Sequence, residues 1–404
     1  MSMEKPVAII ELSNTSIKLL VGYELNGKVY SLFQSTKQLG KIKEKDLFLD
    51  PQQVISELLP LREFTDDALK LKLKISEAVV ILPPKGLQVF ETNQVTPVVD
   101  DSGRVDSIDI RTLFTQIQKN RYGYSAQTSE IIDIIPERYI LDEGRTYTKM
   151  PIGEITTSLT LMAKVHVLPI DIVEDNTKVI EATGMKVKRM IASPYASVEL
   201  IGTYKDMPLD YFLVDMGACE TSVSLIGNKQ LFKSVIIPFG GDDITHKIQE
   251  TFTLTKDEAE RIKCHYGLND RKMNFEAPVS IFSDEDGHQV KHTEKELTEL
   301  IKKELDHFVI LLNEAIDSLL ESENAQYKSL PMVLIGGGSL LRGLVDYLEP
   351  KVQSQTVQVF IPKTFGCRNP SLVSLLGAVY SQGQEKILLN KDVPNVGQVT
   401  RVKK

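Results

Sequence analysis

Cysteine is scarce in this sequence. Only three cysteines occur among 404 residues, Cys219, Cys264 and Cys367, and no two of them form a Cys-x-x-Cys pair. This spacing argues against a disulfide framework and against a zinc knuckle, and it suits a reducing compartment.

Long apolar runs and an excess of basic charge are also missing. No uninterrupted apolar stretch reaches the roughly 20 residues of a membrane-spanning helix, and the opening MSMEKPVAII lacks the form of a secretory signal. The net charge of −8 disfavours nucleic acid as a partner, because phosphate binding depends on basic surface. We therefore expect a soluble, cytoplasmic protein of roughly two to three domains that does not bind nucleic acid.

Two common nucleotide-binding signatures are absent, the Gly-x-Gly-x-x-Gly fingerprint and the Gly-Lys-Ser/Thr loop. What the sequence has instead is VLIGGGSLL, an apolar strand that runs into Gly336, Gly337, Gly338 and Ser339. Glycines at this point allow a phosphate or a flat ligand to approach the backbone where a helix begins. The alternative interpretation is a crowded turn between a strand and a helix.

A second candidate site lies in VDMGACETSVSLIGNKQ, where Asp215 ends an apolar run. Gly217 follows two residues later, and Thr221 and Ser222 open the next strand. Backbone N–H groups in such a bend can hold phosphate oxygens, and the carboxylate can hold a magnesium ion through water. The alternative interpretation is an ordinary hairpin.

A third candidate lies in DEAERIKCHYG, on a helix that begins with the capping box Thr255-x-x-Glu258. Glu260 and Lys263 are three residues apart and therefore share one helix face. The alternative interpretation is a surface ion pair. A second capping box, at Thr293, begins a long amphipathic helix.

The chain also repeats itself. Ile9–Lys28 and Leu213–Gln230 each contain a strand, an acid, a small or hydroxyl residue, a second strand and an Asn-containing turn. Ser193-Pro194 and Asn369-Pro370 each place a capping residue before a proline in the first helical turn. The shared order predicts two related halves, and Asn26-Gly27 predicts a tight hairpin turn in the first.

These motifs, in this order and spacing, resemble the actin-like nucleotide-binding superfamily. Within it, the chain is similar to the FtsA family of bacterial cell-division proteins. The stretches that carry the likeness are EIIDIIPERYILDEG (Glu130–Gly144), MPIGEITTSLTLMAKVHVL (Met150–Leu168), SPYASVELI (Ser193–Ile201), IPFGGDDITHKI (Ile237–Ile248) and DEAERIKCHYG (Asp257–Gly267).

The resemblance implies a duplicated, two-lobed α/β actin-like (ribonuclease H-like) fold with an α+β insert in the first lobe and a nucleotide between the lobes. The implied parts are residues 1–85 and 168–207 (first core), 86–167 (insert), 208–242 and 329–384 (second core), 243–328 (smaller subdomain) and 385–404 (tail).

The resemblance also implies ATP and Mg²⁺ as cofactors, and it identifies no catalytic residue. Magnesium would be held through water by Glu11 and Asp215. The nucleotide would contact Asn14, Thr15, Lys18, Asp215, Gly217, Thr221, Gly240, Gly241, Glu260, Lys263, Gly336, Gly337, Gly338 and Ser339.

The partners that the resemblance implies are those of a division scaffold. The C-terminal tail of the tubulin-like protein FtsZ would dock on residues 243–328, and the chain would self-associate into protofilaments and meet other division proteins. The place would be the septum, on the inner face of the cell membrane.

Three departures from the family pattern modify these expectations. Glu11-Leu12-Ser13-Asn14 stands where the family has Asp-x-Gly-Ser/Thr, and Ser222 stands where many superfamily members have aspartate. Both predict at most a slow ATPase. The tail Glu385–Lys404 has one short apolar cluster (Ile387–Leu389), Pro394 and basic residues near its end, which predicts marginal interfacial binding.

Three alternative functions stay open at this point. One is an actin-like assembly platform of another system, similar to the PilM proteins of pili. Another is a nucleotide-free pseudo-ATPase scaffold, indicated by Ser13 and Asn14. The last is a phosphotransferase similar to sugar kinases, for which the sequence offers no motif with a catalytic aspartate.

Overall fold

A computed structural model describes residues 6–44, 47–66, 71–120, 122–268, 277–283, 289–321 and 329–388. These residues form two compact units. Unit 1 takes the described residues of 1–204, with 364–366 and 374–388, and unit 2 takes those of 205–363, with 367–373.

The strands and helices are numbered in chain order through both units. The strands are β1 (Val7–Leu12), β2 (Ser16–Leu25), β3 (Lys28–Gln38), β4 (Lys43–Glu44), β5 (Leu47–Phe48), β6 (Glu63–Asp66), β7 (Leu71–Lys74), β8 (Glu77–Leu82), β9 (Gln88–Pro97), β10 (Ser129–Leu141), β11 (Thr146–Tyr147), β12 (Ser158–Pro169), β13 (Lys186–Ala192), β14 (Tyr211–Met216), β15 (Thr221–Gly227), β16 (Gln230–Ile237), β17 (Pro278–Ser283), β18 (Gln289–Thr293), β19 (Met332–Ile335) and β20 (Val357–Val359). The helices are α1 (Pro51–Leu58), α2 (Ser107–Lys119), α3 (Ile170–Ala182), α4 (Ser193–Ile201), α5 (Gly241–Phe252), α6 (Lys256–Tyr266), α7 (Glu294–Leu320), α8 (Leu344–Leu348) and α9 (Val373–Leu388). Short 3₁₀ turns lie at Leu59–Arg62, Asp142–Gly144, Gly338–Leu340 and Pro370–Leu372.

The main sheet of unit 1 has the order β13-β8-β1-β2-β3. Strands β1, β2 and β3 form an antiparallel meander, whereas β8 and β13 run parallel to β1. The turn between β2 and β3 has positive φ at Asn26 (53°) and Gly27 (76°), so the predicted hairpin turn is confirmed.

A second sheet of unit 1, in the order β11-β10-β12-β9, is formed by the segment that the sequence marked as an insert. Helix α2 packs on it through Ile110, Leu113 and Ile117, against Leu159 and Leu161 of β12. The segment thus has a hydrophobic core of its own.

The main sheet of unit 2 has the order β16-β15-β14-β19-β20. Strands β14, β15 and β16 are antiparallel, and β19 and β20 run parallel to β14. This is the strand order and direction of unit 1, so the two halves have the same topology. Helix α7 covers this sheet with its predicted apolar face, which includes the buried Leu297, Ile301, Leu305, Phe308 and Leu312.

The predicted helix starts have one exception. Capping boxes at Thr255 and Thr293 are present as predicted, and the Asn369 side chain caps the turn after it. The prediction for Ser193 is wrong, because the N-cap of α4 is Ala192. The carbonyl of Ser193 instead accepts the Ser197 hydroxyl at 2.9 Å, inside the helix.

The tail prediction falls largely outside the described residues, which end at 388. Leu389, Pro394 and the basic Arg401, Lys403 and Lys404 belong to that part, so the prediction of marginal membrane binding stays a prediction. Within the described part of the chain, no helix combines the length and the hydropathy needed to cross a bilayer.

Candidate functional site

The first bend, Ser13–Ser16, joins β1 to β2 in unit 1. The Ser13 hydroxyl oxygen accepts the backbone N–H of Ser16 at 3.0 Å and that of Thr15 at 3.4 Å. The Ser13 N–H donates to the Ser16 carbonyl at 2.9 Å. Of the four N–H groups in this fully described bend, only that of Asn14 makes no hydrogen bond, so the bend is closed by its own atoms.

Glu11 and Lys18 flank the first bend and lie directly opposite each other on β1 and β2. Lys18 Nζ donates to Glu11 Oε1 at 2.7 Å, and Ser374 Oγ donates to Glu11 Oε2 at 2.5 Å. Both carboxylate oxygens therefore have partners, and the Lys18 ammonium is paired with Glu11; its predicted contact with the nucleotide stays a prediction.

The second bend, Gly217–Glu220, joins β14 to β15 in unit 2. The Gly217 N–H donates to the Glu220 carbonyl at 3.0 Å, and a Cβ on Gly217 would lie 2.8 Å from that oxygen. The N–H groups of Ala218 and Cys219, at the tip, make no hydrogen bond to any described residue. Burial raises the pKa of the Cys219 thiol to about 11, so the tip presents a neutral thiol that does not repel an anion.

Helix α5 begins against the second bend. The Gly241 N–H donates to the Gly217 carbonyl at 3.0 Å, and the Gly240 N–H donates to Asp243 Oδ2 at 2.7 Å. A Cβ on Gly240 would lie 2.3 Å from the Ala218 carbonyl oxygen. Glycine is needed at position 240 for the close approach of the helix start to the bend.

These contacts show which polar groups of the predicted nucleotide-contact residues already have partners. Gly217, Gly240 and Gly241 have N–H groups that are already bonded within unit 2, and the buried Thr221 hydroxyl donates to the Phe239 carbonyl at 2.7 Å. These bonds stabilise the second bend. The predicted contact of these four residues with a nucleotide stays a prediction.

The glycine loop, Gly336–Ser339, follows β19. Asp215 and Ile335 are paired on the parallel strands β14 and β19, so the second bend and the glycine loop start at the same edge of the sheet. A Cβ on Gly336 would lie 2.4 Å from Asp215 Oδ1, and one on Gly338 would lie 2.5 Å from the Met216 side chain. Two of the three glycines are thus required by packing, as the crowded-turn interpretation predicts.

Gly337 differs from its neighbours. An added Cβ would meet no atom within 4 Å, and its backbone angles (φ −66°, ψ −37°) suit any residue. The N–H groups of Gly337, Gly338 and Ser339 make no hydrogen bond to any described residue, whereas the Ser339 hydroxyl donates to the Gly336 carbonyl at 2.7 Å. Packing therefore does not explain Gly337, and the loop exposes backbone donors.

Glu260 and Lys263 form a partly buried network rather than the surface ion pair of the alternative interpretation. Lys263 is buried, and its ammonium donates to Glu260 Oε2 at 2.7 Å, to Thr245 Oγ1 at 2.8 Å and to the Gly241 carbonyl at 2.9 Å. Burial alone would raise the pKa of the Glu260 carboxyl, but the Lys263 charge and hydrogen bonds from Lys263, Thr245 and Cys264 hold it below its usual value. All three ammonium donors are used, and they tie α6 to the start of α5.

The predicted magnesium ligands are Glu11 and Asp215. Each Glu11 oxygen accepts one hydrogen bond within unit 1 and has a second lone pair for a water molecule. In the described ranges, His, Cys, Asp and Glu side chains form no group of three that could hold a metal ion directly. Water-mediated contacts from Glu11 and Asp215 stay predictions.

The family model and the individual relatives that match this chain have the same description. A family model described as cell division protein FtsA matches residues 212–377, which include the second bend and the glycine loop. The cell division protein FtsA of Streptococcus pneumoniae serotype 2 (strain D39) is 24% identical over 377 residues, covering 93% of this chain and 79% of that protein. The chain is a homologue of cell division protein FtsA.

The fold of this FtsA homologue matches the folds of several solved structures. The PilM–PilN type IV pilus biogenesis complex matches with a TM-score of 0.62 at 15% identity, over 93% of this chain and 98% of that chain. MreB5 of Spiroplasma citri bound to ADP matches with a TM-score of 0.55 at 11% identity, over 95% and 98%. The fold is therefore actin-like, as the sequence resemblance implied.

Two residues of the FtsA homologue have roles that sequence reasoning did not find. Ser374 holds Glu11 from a position 363 residues away, and Thr245 of α5 contacts both Glu260 and Lys263 of α6. Ser374 lies in none of the stretches singled out from the sequence, and Thr245 lies in Ile237–Ile248 but was not predicted to have a role. Only the i, i+4 spacing of Thr245 from Gly241 at the helix start gave a weak local signal.

Proposed function

We propose that this FtsA homologue is an actin-like scaffold of bacterial cell division that binds ATP through unit 2 and hydrolyses it slowly at most. The observation that carries the nucleotide part is the exposed backbone of Gly337, beside a bend whose tip donors at Ala218 and Cys219 are also open. A solved structure of the same fold, MreB5, is bound to ADP, which supports a nucleotide as ligand.

Each loop of unit 2 has its own part in this proposal. The tip of the second bend would hold phosphate oxygens, because adjacent backbone N–H groups form an anion-binding nest. The glycine loop would accept the flat base or the ribose against Gly337, where no side chain intervenes. Asp215 would orient a hydrated magnesium ion that comes with the triphosphate.

Replacing Gly337 with alanine should lower the affinity for ATP by roughly tenfold or more, since a methyl group would stand between ligand and backbone. The thermal stability should stay the same or rise slightly, because the local φ suits alanine and the added atom meets open space. Titration with a fluorescent ATP analogue, together with thermal unfolding, measures both quantities.

The matched control is Gly123→Asn in unit 1. Gly123 is also surrounded by open space, and asparagine tolerates its φ of 83°. The control should bind ATP like the wild type. If Gly337→Ala also binds ATP with unchanged affinity, the glycine loop does not contact the nucleotide.

The partner that we propose is the C-terminal tail of FtsZ, docked on the segment 243–328, with self-association and other division proteins at the septum. Residues 269–276, 284–288 and 322–328 of this segment lie outside the described part. The described part shows Ile281, on the short β17–β18 sheet, with 54% of its surface exposed. An exposed apolar residue on a sheet of two strands suits an apolar peptide.

Replacing Ile281 with serine should weaken binding of an FtsZ tail peptide by at least roughly fivefold, since an apolar contact of this size contributes about 1 kcal/mol or more. Fluorescence anisotropy with a labelled peptide measures the change. Ile108→Ser is the control, because Ile108 has the same 54% exposure but lies in unit 1. A peptide that does not bind the wild type would favour the alternative, an actin-like platform for another assembly.

A further inference from the structure

One end of the inserted sheet in unit 1 exposes large apolar side chains. This end, called the insert end below, consists of residues 98–108, 142–145 and 153–157. Three of its side chains are exposed to more than half of their surface, Val99 (69%), Ile108 (54%) and Ile155 (55%). They stand outside the hydrophobic core of the insert. A group of exposed apolar side chains, unlike a single one, indicates a contact surface.

Contacts within the insert end place these three side chains on one patch. The Val99 N–H donates to Asp109 Oδ1 at 3.1 Å, directly beside Ile108 at the start of α2. In the same segment, a Cβ on Gly103 would lie 3.6 Å from Ile155 Cγ2. The three side chains thus come from neighbouring, hydrogen-bonded segments.

The patch is surrounded by negative charge. The insert end has six acidic residues, which are Asp100, Asp101, Asp106, Asp142, Glu143 and Glu154. Its two basic residues are Arg104 and Arg145, and both donate to backbone carbonyls of the insert end itself, at Gly153 (3.1 Å) and Ile155 (2.7 Å). The acidic excess favours a partner that is apolar and basic.

The tail of this chain has that chemistry. Residues 389–404, which lie outside the described part, read LNKDVPNVGQVTRVKK. Four valines recur at every third position, and four basic residues stand against a single acid, Asp392. Valine and basic residues are most closely mixed in the last stretch, VTRVKK.

The tail is also long enough to reach the insert end of its own molecule. Helix α9, which leads into the tail, belongs to unit 1 and meets the inserted sheet at Ser381, where Arg189 Nη1 donates to Ser381 Oγ at 3.5 Å and Nη2 donates to Asp133 of β10 at 2.6 Å. From Asp133, β10 runs about 26 Å to its end at Leu141, beside the insert end. Helix α9 extends about 10 Å beyond Ser381. An extended tail spans up to about 53 Å, which exceeds the sum of both.

We propose that residues 389–404 dock on the insert end of the same molecule, with valines against Val99, Ile108 and Ile155 and basic side chains against the acidic loops. The contact is independent of the proposed nucleotide site. Because the tail is tethered, its effective concentration is on the order of 1 mM, so a contact with a Kd of about 0.1 mM is roughly 90% formed. A docked tail covers the patch and keeps its own basic residues from other anionic surfaces.

A tail variant tests the proposal in the full chain. Arg401→Glu, Lys403→Glu and Lys404→Glu together should release the tail, because they place like charges against the acidic loops. The δ1-methyl signals of Ile108 and Ile155 in NMR spectra should then move, whereas the signal of Ile281, equally exposed but in unit 2, should stay.

A synthetic peptide of residues 389–404 provides a matched pair of probes. Added to the tail variant, the peptide should return the two methyl signals toward their wild-type positions, with a Kd on the order of 0.1 mM. A peptide with glutamate at positions 401, 403 and 404 should leave them unchanged.

A charge exchange separates docking from an indirect effect of the substitutions. Asp101→Lys with Glu143→Lys, both at exposed positions of the insert end, should also release the wild-type tail. Combined with the tail variant, these changes should restore the contact, because the charges are opposite again.

Three results would overturn the proposal. In the first, the Ile108 and Ile155 signals are the same in the wild type and the tail variant. In the second, the combined charge exchange leaves the signals in their released positions. In the third, the wild-type signals move on dilution of the protein by about tenfold, which would assign the contact to two copies of the chain instead of one.

Discussion

Replacing Arg189 with methionine should lower the free energy of unfolding of this protein by about 3–5 kcal/mol, because it leaves a buried carboxylate without its partner. Asp133 of β10 is fully buried. Arg189 of β13 donates two hydrogen bonds to this carboxylate, from Nε to Oδ1 at 3.1 Å and from Nη2 to Oδ2 at 2.6 Å. The pair joins the inserted sheet to the main sheet of unit 1.

The double variant Asp133→Asn with Arg189→Met is the control for charge. It removes both ions, so it should recover most of the lost stability despite the missing pair. Urea unfolding followed by circular dichroism measures both variants against the wild type. A single variant within about 1 kcal/mol of the wild type, or a double variant no more stable than the single one, would contradict this account of the pair.

His166 should make the protein less stable in acid to an unusual extent. It lies on β12, fully buried, and neither ring nitrogen has a hydrogen-bond partner among the described residues. Burial, with the nearby charges of Lys164 and Arg189, lowers its pKa to about 3. The imidazole of His166 thus stays neutral in the folded protein at pH values at which it is protonated in the unfolded chain.

The direction of the pH dependence follows from these two pKa values. The folded pKa of His166 lies below the unfolded value of about 6.5. Above about pH 6.5 the imidazole is therefore neutral in both states, and His166 causes no pH-dependent loss of stability. As the pH falls toward 3, the unfolded chain binds a proton that the folded chain does not, and about 1.4 kcal/mol is lost per pH unit.

His166→Phe should remove this dependence. The phenyl ring has a similar shape and no unsatisfied nitrogen, so at pH 7 the variant should be as stable as the wild type or more stable. Between about pH 6.5 and pH 4 its advantage should grow by roughly 1.4 kcal/mol per unit, in urea unfolding curves recorded at each pH. His246→Gln is the control, because His246 is largely exposed, and it should show no such trend. A constant difference across this pH range for His166→Phe would show that His166 is not the group responsible.

Local chemistry made part of this structure predictable. Asn26-Gly27 determined a hairpin turn, and Thr255 and Thr293 determined two helix starts, because each feature depends on residues within a few positions. The repeated order of strands and bends also predicted that both sheets would have the same topology. Ser193 failed as a cap because the chain before it is already extended at Ala192, which takes the capping position.

The candidate site was predictable in its location and less so in its contacts. The pattern placed Asp215, Gly217 and Gly336 at the ends of strands, and they do lie together at one sheet edge of unit 2. The pattern could not show which N–H groups are already bonded, since Gly241 donates to a residue 24 positions earlier, Gly217. It also could not show that Ser374 holds Glu11, because that contact depends on the folded unit alone.

The measurement that tests the central claim most directly is hydrogen–deuterium exchange of the full chain with and without saturating ATP and Mg²⁺. The account predicts slower exchange at the tip of the second bend and in the glycine loop, at Ala218, Cys219, Gly337 and Ser339, whose N–H groups would become bonded to ligand. It predicts no change at Thr15 and Ser16, whose N–H groups already have a partner in Ser13. Unchanged exchange at Gly337–Ser339 would contradict the claim that unit 2 of this FtsA homologue holds a nucleotide.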